Sequence, residues 1–175
     1  MRTLITAILV ISLCGCVFKA PMVASTTGDG KYWVLTEPLE YEQPRTHQRF
    51  VVPRGFVTDL ASVPRLFWTA FPPCGKYTPA AVVHDYLYWV QSPTCDRKCA
   101  DQVLLIAMEE SNVDELSRIA IYSAVRAGGK SAWVKNAEDK RAGRIRFVPE
   151  QFMNFGPNET WEQIECRVRT AEITR

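Results

Sequence analysis

His84 and Asp85 stand together in the run Ala80-Ala81-Val82-Val83-His84-Asp85-Tyr86-Leu87-Tyr88, and a short turn later the stretch Cys95-Asp96-Arg97-Lys98-Cys99-Ala100-Asp101 brings a further acid. A histidine beside one carboxylate, with a second carboxylate arriving from a neighbouring element, is the minimum set for activating water next to a cation. Each residue also has a plainer reading. His84 is equally well a helix histidine hydrogen-bonded to Asp101 for packing, and Asp85 a partner for Arg97 or Lys98. Asp59 reads as a helix N-cap. Tyr86, Tyr88 and Trp89 read as core or rim aromatics, and His47 as an exposed turn residue. Ser62 lacks the G-x-S-x-G context of a nucleophile elbow.

The elements that must position these groups change character along the chain. Tyr32-Trp33-Val34-Leu35, Leu39-Glu40-Tyr41, Arg49-Phe50-Val51-Val52 and Gly55-Phe56-Val57 are short β-rich runs broken by Pro38, Pro44, Pro53 and Gly55, which predicts a small antiparallel sheet. Thr58 to Pro64 is a turn, with Asp59 or Ser62 able to cap a short helix over Arg65 to Phe71. Thr78-Pro79 starts a helix running to about Val90. Ser92-Pro93-Thr94 breaks the chain and caps a second helix from Cys95 to about Glu110, with Val103, Leu104, Ala107 and Met108 on one stripe. A third helix is expected from Asp114 to Ala127, ending at Gly128-Gly129. Beyond Trp133 a strand over Arg144 to Val148 and a last helix with Trp161, Ile164 and Val168 on one face are expected. The fold class is α+β: a small antiparallel β-sheet packed against an antiparallel helical hairpin plus a third helix.

Composition bounds the function. A net charge of +2 gives no concentrated basic face, so no nucleic-acid partner is expected; the late cations Lys130, Lys135, Lys140, Arg141, Arg144 and Arg146 are interleaved with Glu138 and Asp139 and read as a solvated surface. Met1-Arg2 and the apolar Thr3 to Leu13 form a segment too short for the roughly 20 residues of a spanning helix and fit an export signal. Leu13-Cys14-Gly15-Cys16 resembles the bacterial lipobox, with Cys16 as the acylated residue; the plainer alternative is a signal peptide with a chance cysteine. The expected organisation is a lipoprotein signal peptide over 1–15, a lipidated cysteine and flexible tether over 16–30, an α+β core over 31–135 and a C-terminal extension over 136–175. Val17 follows the lipid cysteine where the inner-membrane retention signal of enteric bacteria has Asp, so the expected location is the periplasmic face of the outer membrane. Cys74, Cys95, Cys99 and Cys166 are then an even set in an oxidising compartment. Cys95 and Cys99, read as one helical turn apart, are a poor pair, so Cys74 and Cys166 are expected as their partners, one each. A zinc–thiolate site lacks a C-x-x-C pair.

Val52-Pro53-Arg54-Gly55-Phe56-Val57-Thr58-Asp59-Leu60-Ala61-Ser62-Val63-Pro64-Arg65-Leu66-Phe67-Trp68, with Gly75-Lys76-Tyr77, the AAVVHDYLYW run and the helix of Asp101, resembles the bacterial and phage domain of unknown function family numbered 1353, over about residues 45 to 133. That resemblance implies a phage or prophage setting and supplies no activity. The His-Asp-aromatic helix with an Asp on the next helix is also similar to the secreted calcium-dependent phospholipases. Their pattern implies His84 as general base for water, Asp85 as a calcium ligand and Asp101 as the orienting acid, with Tyr88 packing or hydrogen-bonding nearby. Adjacent helix residues point about 100° apart, so imidazole and carboxylate would flank one water. The glycine-rich calcium loop of those enzymes has no match in Phe71 to Tyr77, where only Gly75 is present, and Asp59 would have to supply an oxygen; hard oxygen ligands suit calcium or magnesium. Two functions follow as expectations: an anchored metal-dependent hydrolase of lipid or envelope esters, or a non-catalytic lipoprotein that binds an envelope protein, for example in superinfection exclusion.

Overall fold

Leu39–Glu42 and Arg49–Val52 alternate buried and exposed side chains, so Leu39, Tyr41, Phe50 and Val52 turn inward together, as a half-buried sheet requires. In the computed structural model, which describes residues 18–60 and 75–173, five short strands form: β1 (Ala24–Thr26), β2 (Trp33–Leu35), β3 (Leu39–Glu42), β4 (Arg49–Val52) and β5 (Val57–Thr58). β3 and β4 make one antiparallel pair with Tyr41 opposite Phe50. The second sheet has the order β1-β2-β5, with Val34 opposite Val57. The stretch expected to be a tether thus contributes β1, whose Thr26 pairs with Trp33. The signal segment, Cys16, Cys74, Ser62 and the helix expected over Arg65 to Phe71 lie outside the described residues.

Four helices follow: α1 (Thr78–Val90), α2 (Arg97–Glu110), α3 (Glu115–Arg141) and α4 (Trp161–Ile173). The architecture is α+β, as the sequence predicts. Pro79 sits in the first turn of α1, where its missing N–H costs nothing. Tyr77 holds the N-cap position of α1, and the Thr78 hydroxyl accepts from the Gly75 amide at 2.8 Å. α2 is capped by Asp96, whose carboxylate accepts from Cys99 N at 2.8 Å, and not by Thr94. Asp114 caps α3 in the same way through Ser117 N.

Two expectations are corrected. α3 does not stop at Gly128-Gly129 but continues to Arg141, because its second half closes the end of α1. Asn136 donates to the Tyr88 carbonyl at 3.2 Å and Lys140 to the Val90 carbonyl at 3.3 Å, while Gln91 donates its side-chain N–H to the Trp133 carbonyl at 2.7 Å. The last turn of a helix leaves such carbonyls without partners and favours a cation there. Second, Cys95 pairs with Cys99, not with Cys74 or Cys166, and Cys166 is a free, exposed thiol. The one-turn objection fails because Cys95 precedes the N-cap of α2 and is not helical, which brings the two Cα atoms to 5.2 Å, inside the range a disulfide spans.

The main core joins Leu39, Tyr41, Phe50 and Val52 of β3–β4 to Ala81, Val83, Leu104, Met108, Ile121 and Val125 of the helices. A second, smaller core holds α4 on the other sheet: Trp161, Ile164 and Val168 pack with Val34, Val57 and Val148, on the face the sequence predicts. The strand expected over Arg144 to Val148 is reduced to a bridge between Phe56 and Phe147, flanked by Val57 N to Arg146 O at 2.9 Å and Val148 N to Gly55 O at 2.8 Å. Gly55, at φ +82°, is required there, since a Cβ would meet the Val148 carbonyl oxygen at 2.3 Å. Among the described residues no helix is long and apolar enough to cross a membrane.

Gly128 lies within α3, and a Cβ added there would meet nothing within 4 Å. Gly128→Ala is therefore expected to raise stability by about 0.5–1 kcal/mol, the usual helix-interior difference, measured as a higher urea midpoint at unchanged slope.

Candidate functional site

α1 and α2 run past each other so that the His84 ring meets Asp101, with Nε2 3.1 Å from Oδ1. The carboxylate, fully buried, also accepts the Tyr88 hydroxyl at 2.5 Å, Arg97 Nη1 at 3.0 Å and Arg126 Nη1 at 2.5 Å. Its donors therefore come from α1, from α2 itself and from α3. An ionised carboxylate accepts only, so Nε2 carries the proton and Nδ1 is the atom that can receive one. Nδ1 lies 3.9 Å from Asp85 Oδ1.

Electrostatics follow from these contacts. Burial raises the Asp101 pKa, but the bonds from His84, Tyr88 and Arg126 outweigh it and hold the group below the ordinary carboxylate value. For His84, burial disfavours the charged ring, while the bonds to Asp101 and Asp85 and their negative charges favour it; the balance lifts its pKa above 6.5. Burial and the Asp101 carboxylate both push the Tyr88 phenol up, so it stays a donor.

The outer side of the site is a cavity of about 520 Å³ lined by His84, Asp85, Tyr88, Asp59, Arg146 and Trp161 among others, a size suited to a small-molecule site. His84 is 3% exposed and contributes to its wall; Asp101 sits behind the ring and does not. Asp85 accepts the Thr58 hydroxyl at 2.5 Å and pairs with neither Arg97 nor Lys98. Asp59 Oδ2 stands 3.7 Å from Arg146 Nη2. Among the described residues no group of three or more His, Cys, Asp or Glu could hold a metal ion. His47 is exposed, its Nδ1 3.4 Å from Glu42.

The sequence brings His84, Asp101 and Tyr88 together correctly, and it misses Arg97 and Arg126 as partners of Asp101. For Arg97 a signal exists, since Arg97 and Asp101 are four apart on one helix. Arg126 has no such signal, because its approach depends on how α3 packs. Gly129 is the third feature missed: a Cβ there would stand 2.3 Å from the Tyr88 hydroxyl oxygen, so α3 can lie this close only with glycine at that position.

The fold and the site define a small α+β domain in which a buried carboxylate fixes an imidazole against a cavity. The chain belongs to the family described as protein of unknown function (DUF1353), which it matches over residues 33–125, more than half its length. No curated protein and no solved structure matches it. His84, Asp85, Tyr88, Arg97 and Asp101 all fall inside the matched stretch.

The network makes two effects measurable. A raised folded pKa means that His84 contributes stability at pH values below about 6.5, and that this contribution is lost as pH rises through the folded value. The stability difference between wild type and His84→Gln should thus shrink as pH rises above about 6.5, and the imidazole should titrate by NMR above that value. Gly129→Ala should cost about 1–3 kcal/mol as an overpacked contact, because the Tyr88 hydroxyl cannot yield without leaving Asp101; chemical denaturation beside Gly128→Ala separates this clash from a general helix effect.

Proposed function

We propose that the protein is a membrane-anchored hydrolase of phage or prophage type in which His84 activates water against an ester of a lipid or envelope molecule. The observation that carries this reading is the His84 ring, fixed through Nε2 by a buried carboxylate while it forms part of a cavity wall. With the Nε2 proton held by Asp101, neutral His84 takes a proton from water at Nδ1 as the oxygen attacks the ester carbonyl. The imidazolium so formed lies between Asp101 and Asp85, both of which favour its charge. The same Nδ1 proton then passes to the departing alkoxide, which leaves as the alcohol and restores the neutral ring. Tyr88, with its ring 4.1 Å from that of His84, and Arg126 act through Asp101 as positioning residues. These proton transfers use His84 alone; of the acids beside it in the cavity wall, Asp59 stands next to Arg146 and Asp85 accepts the Thr58 hydroxyl.

Anchoring rests on the Leu13-Cys14-Gly15-Cys16 stretch: acylation of Cys16 with more than one chain would give stable attachment, at the periplasmic face of the outer membrane. One observation favours the alternative of a non-catalytic envelope-binding lipoprotein, namely that His84 is 3% exposed and its network braces three helices.

Hydrolysis of short-chain 4-nitrophenyl esters separates the two. His84→Ala should lower kcat/KM by about 10²–10⁴-fold, the usual worth of a positioned base, and wild-type activity should rise with pH through the His84 pKa above 6.5, since only the neutral ring accepts a proton. Activity indifferent to the substitution rejects the enzymatic reading. Separately, Cys16→Ser should move the protein from membrane to soluble fractions, and continued retention refutes the anchor.

A further inference from the structure

The match to the family ends at residue 125, and much of the cavity wall lies beyond it. Lys135, Asn136 and Asp139 come from the extended half of α3, Arg144, Ile145 and Arg146 from the segment after it, and Trp161 from α4. The shared stretch holds the reacting groups, and this chain's last 50 or so residues close the space in front of them.

Three cations of the described residues face that space, and their partners differ. Lys135 is bound to Asp139 at 2.7 Å and is 70% exposed; Arg144 is bound to Glu165 at 2.7 Å. Arg146 is otherwise placed. Its side chain is only 21% exposed, it lies over the Tyr32 ring at 5.5 Å, and its carboxylate neighbour Asp59 stands at 3.7 Å. Among the described residues its guanidinium forms an ion pair with Asp59 but makes no hydrogen bond, so its N–H donors are held in position and open. The backbone fixes it as well: Arg146 O accepts from Val57 N, and the next residue, Thr58, carries the hydroxyl that holds Asp85. A half-buried, aromatic-backed guanidinium with open donors is a receptor for a planar or tetrahedral oxyanion, and in this site it sits in the same wall as His84.

We infer that Arg146 is a specificity residue that binds a carboxylate or phosphate of the molecule whose ester bond is attacked at His84. The proposal rests on the hydrolase reading for its second half alone; the anion site stands on the geometry of Arg146. Neutral esters would fill the aromatic part of the cavity without engaging the fork. Anionic ones would be oriented by it before attack.

The test uses the full chain in detergent. Acetate, inorganic phosphate and monomeric dihexanoyl phosphatidylglycerol are titrated while the Arg146 Nε–Hε resonance is followed by NMR, and the hydrolysis of 4-nitrophenyl succinate is compared with that of 4-nitrophenyl butyrate in wild type, Arg146→Lys and Arg146→Gln. A saturable shift is expected, and the anion that gives it at the lowest concentration distinguishes a carboxylate, a free phosphate and a lipid headgroup. The succinate-to-butyrate ratio of kcat/KM should fall about tenfold or more in Arg146→Gln, with Arg146→Lys between, because a lysine keeps the charge and loses the fork. No shift with any of the three anions, or a ratio unchanged by both substitutions, overturns the proposal even if butyrate is hydrolysed. A saturable shift with neither ester cleaved leaves the anion site standing and removes the hydrolase.

Discussion

Asp101 is the constraint on which the arrangement depends. A carboxylate taken wholly out of water is tolerated only when charge and hydrogen bonds replace what water supplied, and here two arginines, a phenol and an imidazole converge on its two oxygens. Those donors cannot reach one point unless α1, α2 and α3 lie in one mutual orientation. The network therefore specifies the helix packing and fixes the imidazole ring. Breaking it from the acid side would strand two guanidiniums and a ring.

Around that knot the molecule has two cores, with the β1-β2-β5 sheet contributing Leu35 to the first and Val34 and Val57 to the second. The first contains β3, β4 and the three-helix cluster, and its acids and imidazole need nothing beyond residue 126 to find each other. The second contains α4 and the β1-β2-β5 sheet, joined by Val34 and Val57 to Trp161, Ile164 and Val168. The cavity lies where the two meet. The His84–Asp101 pair comes from α1 and α2, while much of the cavity wall in front of it comes from the later half of α3, the segment after it and α4.

What the sequence discloses follows the range of the forces involved. Strands β2 to β5, the α1–α2 turn and the His84–Asp101 approach rest on local patterns and a short connection, and they are legible. The extent of α3 is not, because Gly128-Gly129 carries a local stop signal that is overridden by contacts with Tyr88, Val90 and Gln91, which lie far earlier in the chain. Reading Cys95 as helical hides the disulfide, and one position decides it: with Asp96 as N-cap, Cys95 lies outside the helix and can fold back on Cys99. Arg146 reads as surface charge because the ribbon that carries it is ordered by Gly55 and Val57, not by its own neighbours in sequence.

The two arginines also bear on what His84 can do. A buried Asp beside an imidazole favours the charged ring. Arg97 and Arg126 both bond to Oδ2, the oxygen opposite the one that His84 and Tyr88 share. They draw the carboxylate charge away from the ring while leaving the Oδ1 hydrogen bond to fix its orientation. The imidazole thereby keeps a fixed tautomer and plane, and the burial that disfavours its charged form works against the pull of the two acids. An orienting acid whose charge is shared with two guanidiniums fixes the plane of the ring through one oxygen while its other oxygen is held by Arg97 and Arg126.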